Sequence, residues 1–323
     1  MAATEAKIPR VSQPKPDEYE FNLDTVLSAV MSIGTTVPPD AFTADTLGTE
    51  RAGNAVLIGN AGLVLTIGYL ITEASAVWLT LNDGRVVRGD VVGYDGESGF
   101  GLVQALGPIN VPPLPLGRSA DAKVGDPVLI GGAGGRNRSV SARIVAKQEF
   151  AGYWEYLLEE AIFAAPAHPH WGGTALIGRT GELLGVGSLQ LQQERGGKEE
   201  NINMVVPIDL LRPVLEDMLT IGRPDRPPRP WLGVYATEIE GQVVVAGLAD
   251  RSPAERAGLQ VGDVLMGLAG SDLDDLADLY RRLWSLGQAG VQVPLKLGRA
   301  GRMIEVTVTS TDRNRLLKRA VLH

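Results

Sequence analysis

The stretch from Glu160 to Ser188, EAIFAAPAHPHWGGTALIGRTGELLGVGS, constrains this chain more than any other. An apolar run, Ala161 to Ala165, enters a tight loop of Pro169, His170, Trp171, Gly172 and Gly173. A second apolar run follows, then the turn Arg179-Thr180-Gly181-Glu182, then Leu183 to Val186. This order predicts strand, loop, strand, hairpin, strand. Upstream, short apolar runs recur at Ala55 to Ile58, Leu63 to Thr66, Ala76 to Leu81, Val86 to Tyr94 and Gly101 to Ala105. Asn82-Asp83-Gly84 and Asp95-Gly96 separate two pairs of them as turns. Further strands are expected at Pro127 to Gly131, Ser139 to Glu149, Tyr153 to Leu158, Ala161 to Ala165, Leu183 to Leu191 and Asn203 to Val206. So many short strands without a long helical pattern predict paired β-barrels, closed by a helix over Ile208 to Leu219 in which Pro213 marks a kink or a second start.

The fold class expected is mainly β, in two domains. Residues 1–21 are polar and proline-bearing and read as mobile. Residues 22–221 form the double barrel. Residues 222–229 are a stiff proline-rich linker. Residues 230–312 form a second module, and 313–323 a basic tail with Arg313, Arg315, Lys318 and Arg319. A net charge of −8 and no basic stripe argue against nucleic acid as the main ligand. The absence of cysteine excludes disulfides and thiolate chemistry. No apolar run is long enough to span a bilayer, and the first residues lack a signal-peptide pattern, so a cytoplasmic location is expected.

The Glu160 to Ser188 segment resembles the nucleophile loop of trypsin-like serine proteases of the HtrA/Deg family. Gly172-Gly173, the turn and the closing GELLGVGS match. Where the family has its serine this chain has Trp171. The same resemblance puts the histidine position on Tyr69, within GLVLTIGYLITEA, and the aspartate position on Gly99, within DGESGFGLVQ. A phenol of reference pKa about 10 accepts protons poorly near neutrality, glycine has no side chain, and an indole N–H only donates. The glycine that supplies one oxyanion N–H in the family falls on Pro169, which has no N–H. The resemblance therefore implies a chymotrypsin-like double barrel whose catalytic positions are replaced.

The second module resembles a PDZ domain of the kind joined to such proteases, on the strength of SPAERAGLQVGDVL. Ser252 caps a short helix that starts at Pro253, Gly258 ends it, and Gly262-Asp263 turns into the next strand. In a PDZ domain a peptide C-terminus adds as a strand, its carboxylate on backbone N–H groups of a loop. The matching positions are Trp231, Leu232, Gly233 and Val234. Their bland alternative is an edge strand that no peptide visits. Leu276, Leu279 and Leu283 share one helix face and read as core before pocket wall.

Three readings stay open. The first is a catalytically inactive HtrA-like protein that binds protein or peptide C-termini as a scaffold, assembly factor or chaperone-like subunit, without a cofactor. The second is an active serine endopeptidase with an atypical site, although Ser98 and Ser188 read as ordinary turn and strand residues. The third is a metal-binding pseudoprotease built on His168 and His170, a bare pair whose alternative is hydrogen bonding to backbone. Tyr19, Phe21 and Leu23 either pack on their own domain or, as the resemblance implies, contribute to a trimer contact.

Overall fold

Residues 7–195 and 197–318 are described in a computed structural model of the chain, which divides into two compact units. Residues 1–6 of the N-terminal segment, and Arg319 and His323 of the tail, lie outside the described residues.

The first unit holds residues 1–148, 160–225 and 318–323. Asn22 opens α1 (Leu23–Ser28), its side chain accepting the Thr25 N–H at 2.9 Å, as an N-cap should. The first barrel is β1 (Val30–Thr36), β2 (Glu50–Gly59), β3 (Leu63–Ile67), β4 (Ala76–Thr80), β5 (Val86–Tyr94) and β6 (Phe100–Ala105), with α2 (Ala44–Leu47) between β1 and β2. The second is β7 (Pro127–Gly131), β8 (Val140–Gly152), β9 (Tyr156–Ala165), β10 (Ala175–Ile177), β11 (Leu183–Arg195) and β12 (Lys198–Pro207). Among the described residues the strands close as 1-2-3-6-5-4 and 10-11-12-9-8-7. Closure removes the sheet edges, and inward-facing residues fill each barrel. Val30, Ile33, Val56, Leu65, Phe100 and Leu102 are buried in the first barrel. Ile130, Val140, Ile144, Ile162, Leu176 and Val205 form one buried cluster in the second.

Pro213 is a second start rather than a kink. A 3₁₀ turn, Ile208–Leu210, precedes α3 (Leu215–Ile221), because proline donates no bond and its ring blocks the preceding helical turn. The segment expected to be mobile is held from Ile8 onward. Ile8 is buried in the second-barrel cluster, and the Tyr19 hydroxyl lies 2.9 Å from the Ser141 hydroxyl. The Tyr19 and Phe21 rings meet at 5.2 Å and Leu23 is buried, so all three aromatic-end residues pack on their own unit.

The second unit holds residues 149–159 and 226–317. Its sheet runs β13 (Val234–Ile239), β14 (Gln242–Leu248), β15 (Val264–Leu268), β17 (Gln292–Arg299), β18 (Arg302–Thr309), with β16 (Ser271–Asp272) paired to β15. Ser252 caps α4 (Pro253–Arg256) by accepting the Glu255 N–H, and Asp275 caps α5 (Leu276–Ser285) by accepting the Asp278 N–H. Leu276, Leu279 and Leu283 are all buried in the core of this unit. The linker is not free along its length. The Pro228 carbonyl accepts the Ala289 N–H, and the Arg229 guanidinium stacks 4.3 Å above the Trp284 ring.

A contiguous boundary at residue 221 misses one feature. The end of the β8–β9 hairpin, Glu149–Glu159, clusters with the second unit, and its Leu157 is buried in that unit's core. Among the described residues no helix is long and apolar enough to cross a membrane.

Candidate functional sites

β3 ends in a 3₁₀ turn, Gly68–Leu70, that presents Tyr69. The Gly68 N–H donates to the Gly99 carbonyl at 2.6 Å, which brings the Gly99 segment against this turn. The Tyr69 hydroxyl donates to the Ser188 carbonyl at 2.9 Å, and the Trp171 side chain is near enough to act on the phenol's titration. The three positions that the resemblance assigns to a triad therefore meet in space, occupied by a phenol, a glycine and an indole. Burial pushes the Tyr69 phenol above its ordinary value, and the weaker lowering effect of the Trp171 side chain does not reverse this. The hydroxyl is thus protonated near neutrality and its proton is already engaged.

The loop that carries Trp171 is held from below by Asn54 on β2. The Asn54 side chain donates to the His170 and Gly172 carbonyls at 2.9 and 3.1 Å and accepts the Ala133 N–H at 2.9 Å. Its backbone N–H donates to the same Gly172 carbonyl at 2.8 Å. Pro169 presents no N–H to this loop. Asn54 was not singled out in the sequence. Its signal was an amide in the middle of an otherwise small and apolar strand, AGNAVLIG. Ser98 and Ser188 are buried; the Ser98 hydroxyl accepts the Phe100 N–H in a turn.

His168 is almost fully buried, and both of its ring nitrogens are used. Nε2 lies 2.8 Å from the Arg138 carbonyl, which can only accept, so Nε2 carries the proton. Nδ1 then accepts the His170 N–H at 3.1 Å. Asn203 brackets the residue, accepting its N–H and donating to its carbonyl. With Nε2–H given to the Arg138 carbonyl and the Nδ1 lone pair taken by the His170 N–H, His168 braces the loop. Among the described residues no group of three or more histidine or acidic side chains is placed to hold a metal.

Burial holds the His168 imidazole below the usual histidine range. A depressed histidine contributes stability above its unfolded pKa of about 6.5 and loses it as pH falls through the folded value. His168→Ala is expected to cost about 2–3 kcal/mol at pH 7.5, by orphaning buried partners. The gap between wild type and variant in urea unfolding should narrow at pH 5. An equal gap at both values would mean that His168 does not titrate on unfolding.

In the second unit, the Leu232, Gly233 and Val234 N–H groups point to one spot. All three donate to the Glu155 carboxylate, at 3.1, 2.6 and 3.0 Å. Trp231 does not join them; its N–H and carbonyl are both paired with Thr311 at 3.0 Å. Gly233 has φ +79°, and a Cβ there would lie 2.3 Å from Ser252 Cβ, so the loop depends on this glycine. Burial pushes the Glu155 carboxyl up to about 7, against the downward pull of the three N–H groups and Arg313. Glu155 escaped the sequence reading. Its trace there was a lone acid among Tyr153, Trp154 and Tyr156.

Comparison with known proteins follows the same division. A trypsin-like peptidase domain model matches residues 53–186, and a PDZ domain model matches residues 230–309. The periplasmic pH-dependent serine endoprotease DegQ of Escherichia coli is 27% identical over 318 residues, covering 89% of this chain and 69% of that protein. The serine endoprotease DegS of Haemophilus influenzae is 28% identical over 230 residues, covering 69% and 66%. Other relatives are spanned over only 56% of their length. A solved structure of the HtrA-type protease AlgW with a decapeptide superposes with a TM-score of 0.53 at 22% identity, over 93% of this chain and all of that one. The chain is thus similar in sequence to HtrA-type serine endoproteases, with a match to a trypsin-like peptidase domain followed by a match to a PDZ domain, and it shares the fold of the HtrA-type structure.

Proposed function

We propose that this HtrA-type chain binds protein or peptide C-termini without cutting them, as a scaffold, assembly factor or chaperone-like subunit. The observation that carries this reading is the buried Tyr69 phenol, whose hydroxyl proton is given to the Ser188 carbonyl at 2.9 Å and whose titration is pushed upward by burial. Acyl transfer needs a nucleophilic oxygen, a base to take its proton and donors for the oxyanion. At these positions stand a phenol whose proton is engaged, a glycine and an indole, and Pro169 brings no donor. The Leu232, Gly233 and Val234 N–H groups, by contrast, converge on a carboxylate, the group that a peptide C-terminus presents.

The competing reading is an active endopeptidase, because the relatives named above are called serine endoproteases. The two readings separate on incubation of the purified chain with casein and with a fluorophosphonate probe. The expected result is hydrolysis no faster than the blank and no labelled protein. Stoichiometric labelling, or casein cleavage abolished by the probe, would make the chain a protease.

A further inference from the structure

The N–H cluster of the second unit already holds a carboxylate, and the chain itself supplies it. Glu155 sits at the tip of the β8–β9 hairpin, in the part that clusters with this unit. Its neighbour Tyr153 accepts the Ala236 N–H through its carbonyl at 2.9 Å. Glu155 thus lies opposite Val234, and Tyr153 opposite Ala236, two residues further along β13. The segment 153–155 runs antiparallel to β13 with the two-residue period of an added strand. A peptide ending in a free carboxylate would approach this groove in the same direction, with the same spacing.

The seat is made by more than the carboxylate. The Tyr280 hydroxyl on α5 donates to the Gly152 carbonyl at 2.8 Å and accepts the Glu155 N–H at 3.2 Å. Arg281 on the same helix pairs with Glu149 and Glu159 at the two sides of the hairpin. Glu155 itself is held at φ +59°, in the left-handed region that glutamate enters at a cost of about 1 kcal/mol or more. A strained acid aimed at three converging donors marks a position kept for its side chain.

We propose that Tyr153–Glu155 is a built-in ligand: the Glu155 side chain imitates a chain-terminal carboxylate, so the groove is closed in cis, and an outside peptide binds only by displacing the hairpin. This rests on the reading of the groove as a peptide site. It also makes the hairpin the element that any captured C-terminus must move. A ligand that has to displace an internal competitor binds more weakly by the fraction of molecules in which the groove is open.

The test uses the full chain and its Glu155→Gly variant, because glycine accepts φ +59° without strain while the side chain that carries the carboxylate is removed. Glu155→Gln, which keeps the shape but not the charge, is the second variant. Two measurements are made on each: hydrogen exchange of the Leu232, Gly233 and Val234 amides, and binding of a fluorescein-labelled decapeptide pool with its last three positions randomised and its C-terminus free. The same pool with amidated ends is the control. The expected result is loss of amide protection in Glu155→Gly, with binding of the free-carboxylate pool tighter by about 10-fold or more and the glutamine variant in between. Equal binding by wild type and Glu155→Gly, or unchanged amide protection, overturns closure in cis and leaves the groove reading standing. Deprotected amides with no binding of either pool by any of the proteins overturns the groove reading itself, and the built-in ligand with it.

Discussion

Gly173→Ala is expected to leave the first unit without a stable fold. Gly173 sits at φ +77°, and a Cβ there would fall 1.7 Å from the Asn54 carbonyl oxygen and 2.8 Å from the Thr66 hydroxyl. The first of these is backbone in the middle of β2 and cannot turn aside. Displacing it would break the Asn54 contacts to Gly172 and His170 that position the loop. The Gly173 N–H bond to the Gly187 carbonyl, which ties the loop to β11, would go with them. Left-handed backbone alone costs an alanine about 1–2 kcal/mol. A forced backbone shift on top of it belongs with the rare losses above about 4 kcal/mol, a large share of a total of about 5–15 kcal/mol. Gly135→Ala is the control. It has φ +74° but nothing within reach of a Cβ, so it carries the backbone cost without the collision. Urea unfolding should separate the two by about 3 kcal/mol or more, or Gly173→Ala should fail to appear as soluble protein. If the two variants lose the same amount, the contact at Asn54 is not what fixes this glycine.

That glycine was legible in the sequence, and so was most of the architecture, because both are local. Apolar runs between turn signals placed β5 and β7 at their observed ends, and the SPAERAG signal placed α4 with its cap. Strand ends were less legible where solvent-facing acids interrupt the pattern. Tyr153 to Leu158 and Ala161 to Ala165 read as two strands across Glu159 and Glu160, yet β9 runs without a break from Tyr156 to Ala165. Ladder hydrogen bonds tolerate two exposed acids, whereas apolar periodicity does not register them. What lay beyond the sequence was pairing at a distance. Glu155 meets its partners 77 to 79 positions away, and Asn54 reaches His170 across 116. Nothing in the composition near either residue names the other end. The Tyr69, Gly99 and Trp171 positions are marked in the sequence only by their motifs, and it is the fold that brings them together.

Restoring the three side chains is the harder test of the proposed loss of chemistry. The combination Tyr69→His, Gly99→Asp and Trp171→Ser is expected to yield no hydrolysis above background. The first obstacle is Gly99, whose φ of +83° aims a new side chain along a direction that ordinary backbone would not. Its carbonyl is also fixed by the Gly68 N–H. A carboxylate off its line leaves the introduced imidazole in the wrong tautomer, and that fault alone has cost about 10⁴ in rate where it was measured in another protease. The second obstacle is Pro169, where no N–H exists for the oxyanion; one missing donor costs about 10²–10³. The third is the space left by the Trp171 indole, which now fills the gap beside Tyr69 and whose loss loosens the loop that must hold the serine. These losses act on one transition state, so together they bring the site to the level of the uncatalysed reaction. Adding Pro169→Gly to the three is expected to lift the rate by about 10²–10³ at most, visible first as slow fluorophosphonate labelling. Rapid labelling of the triple variant with Pro169 still in place would mean that the loop offers its oxyanion donors elsewhere, and that only three side chains separate this fold from a working protease.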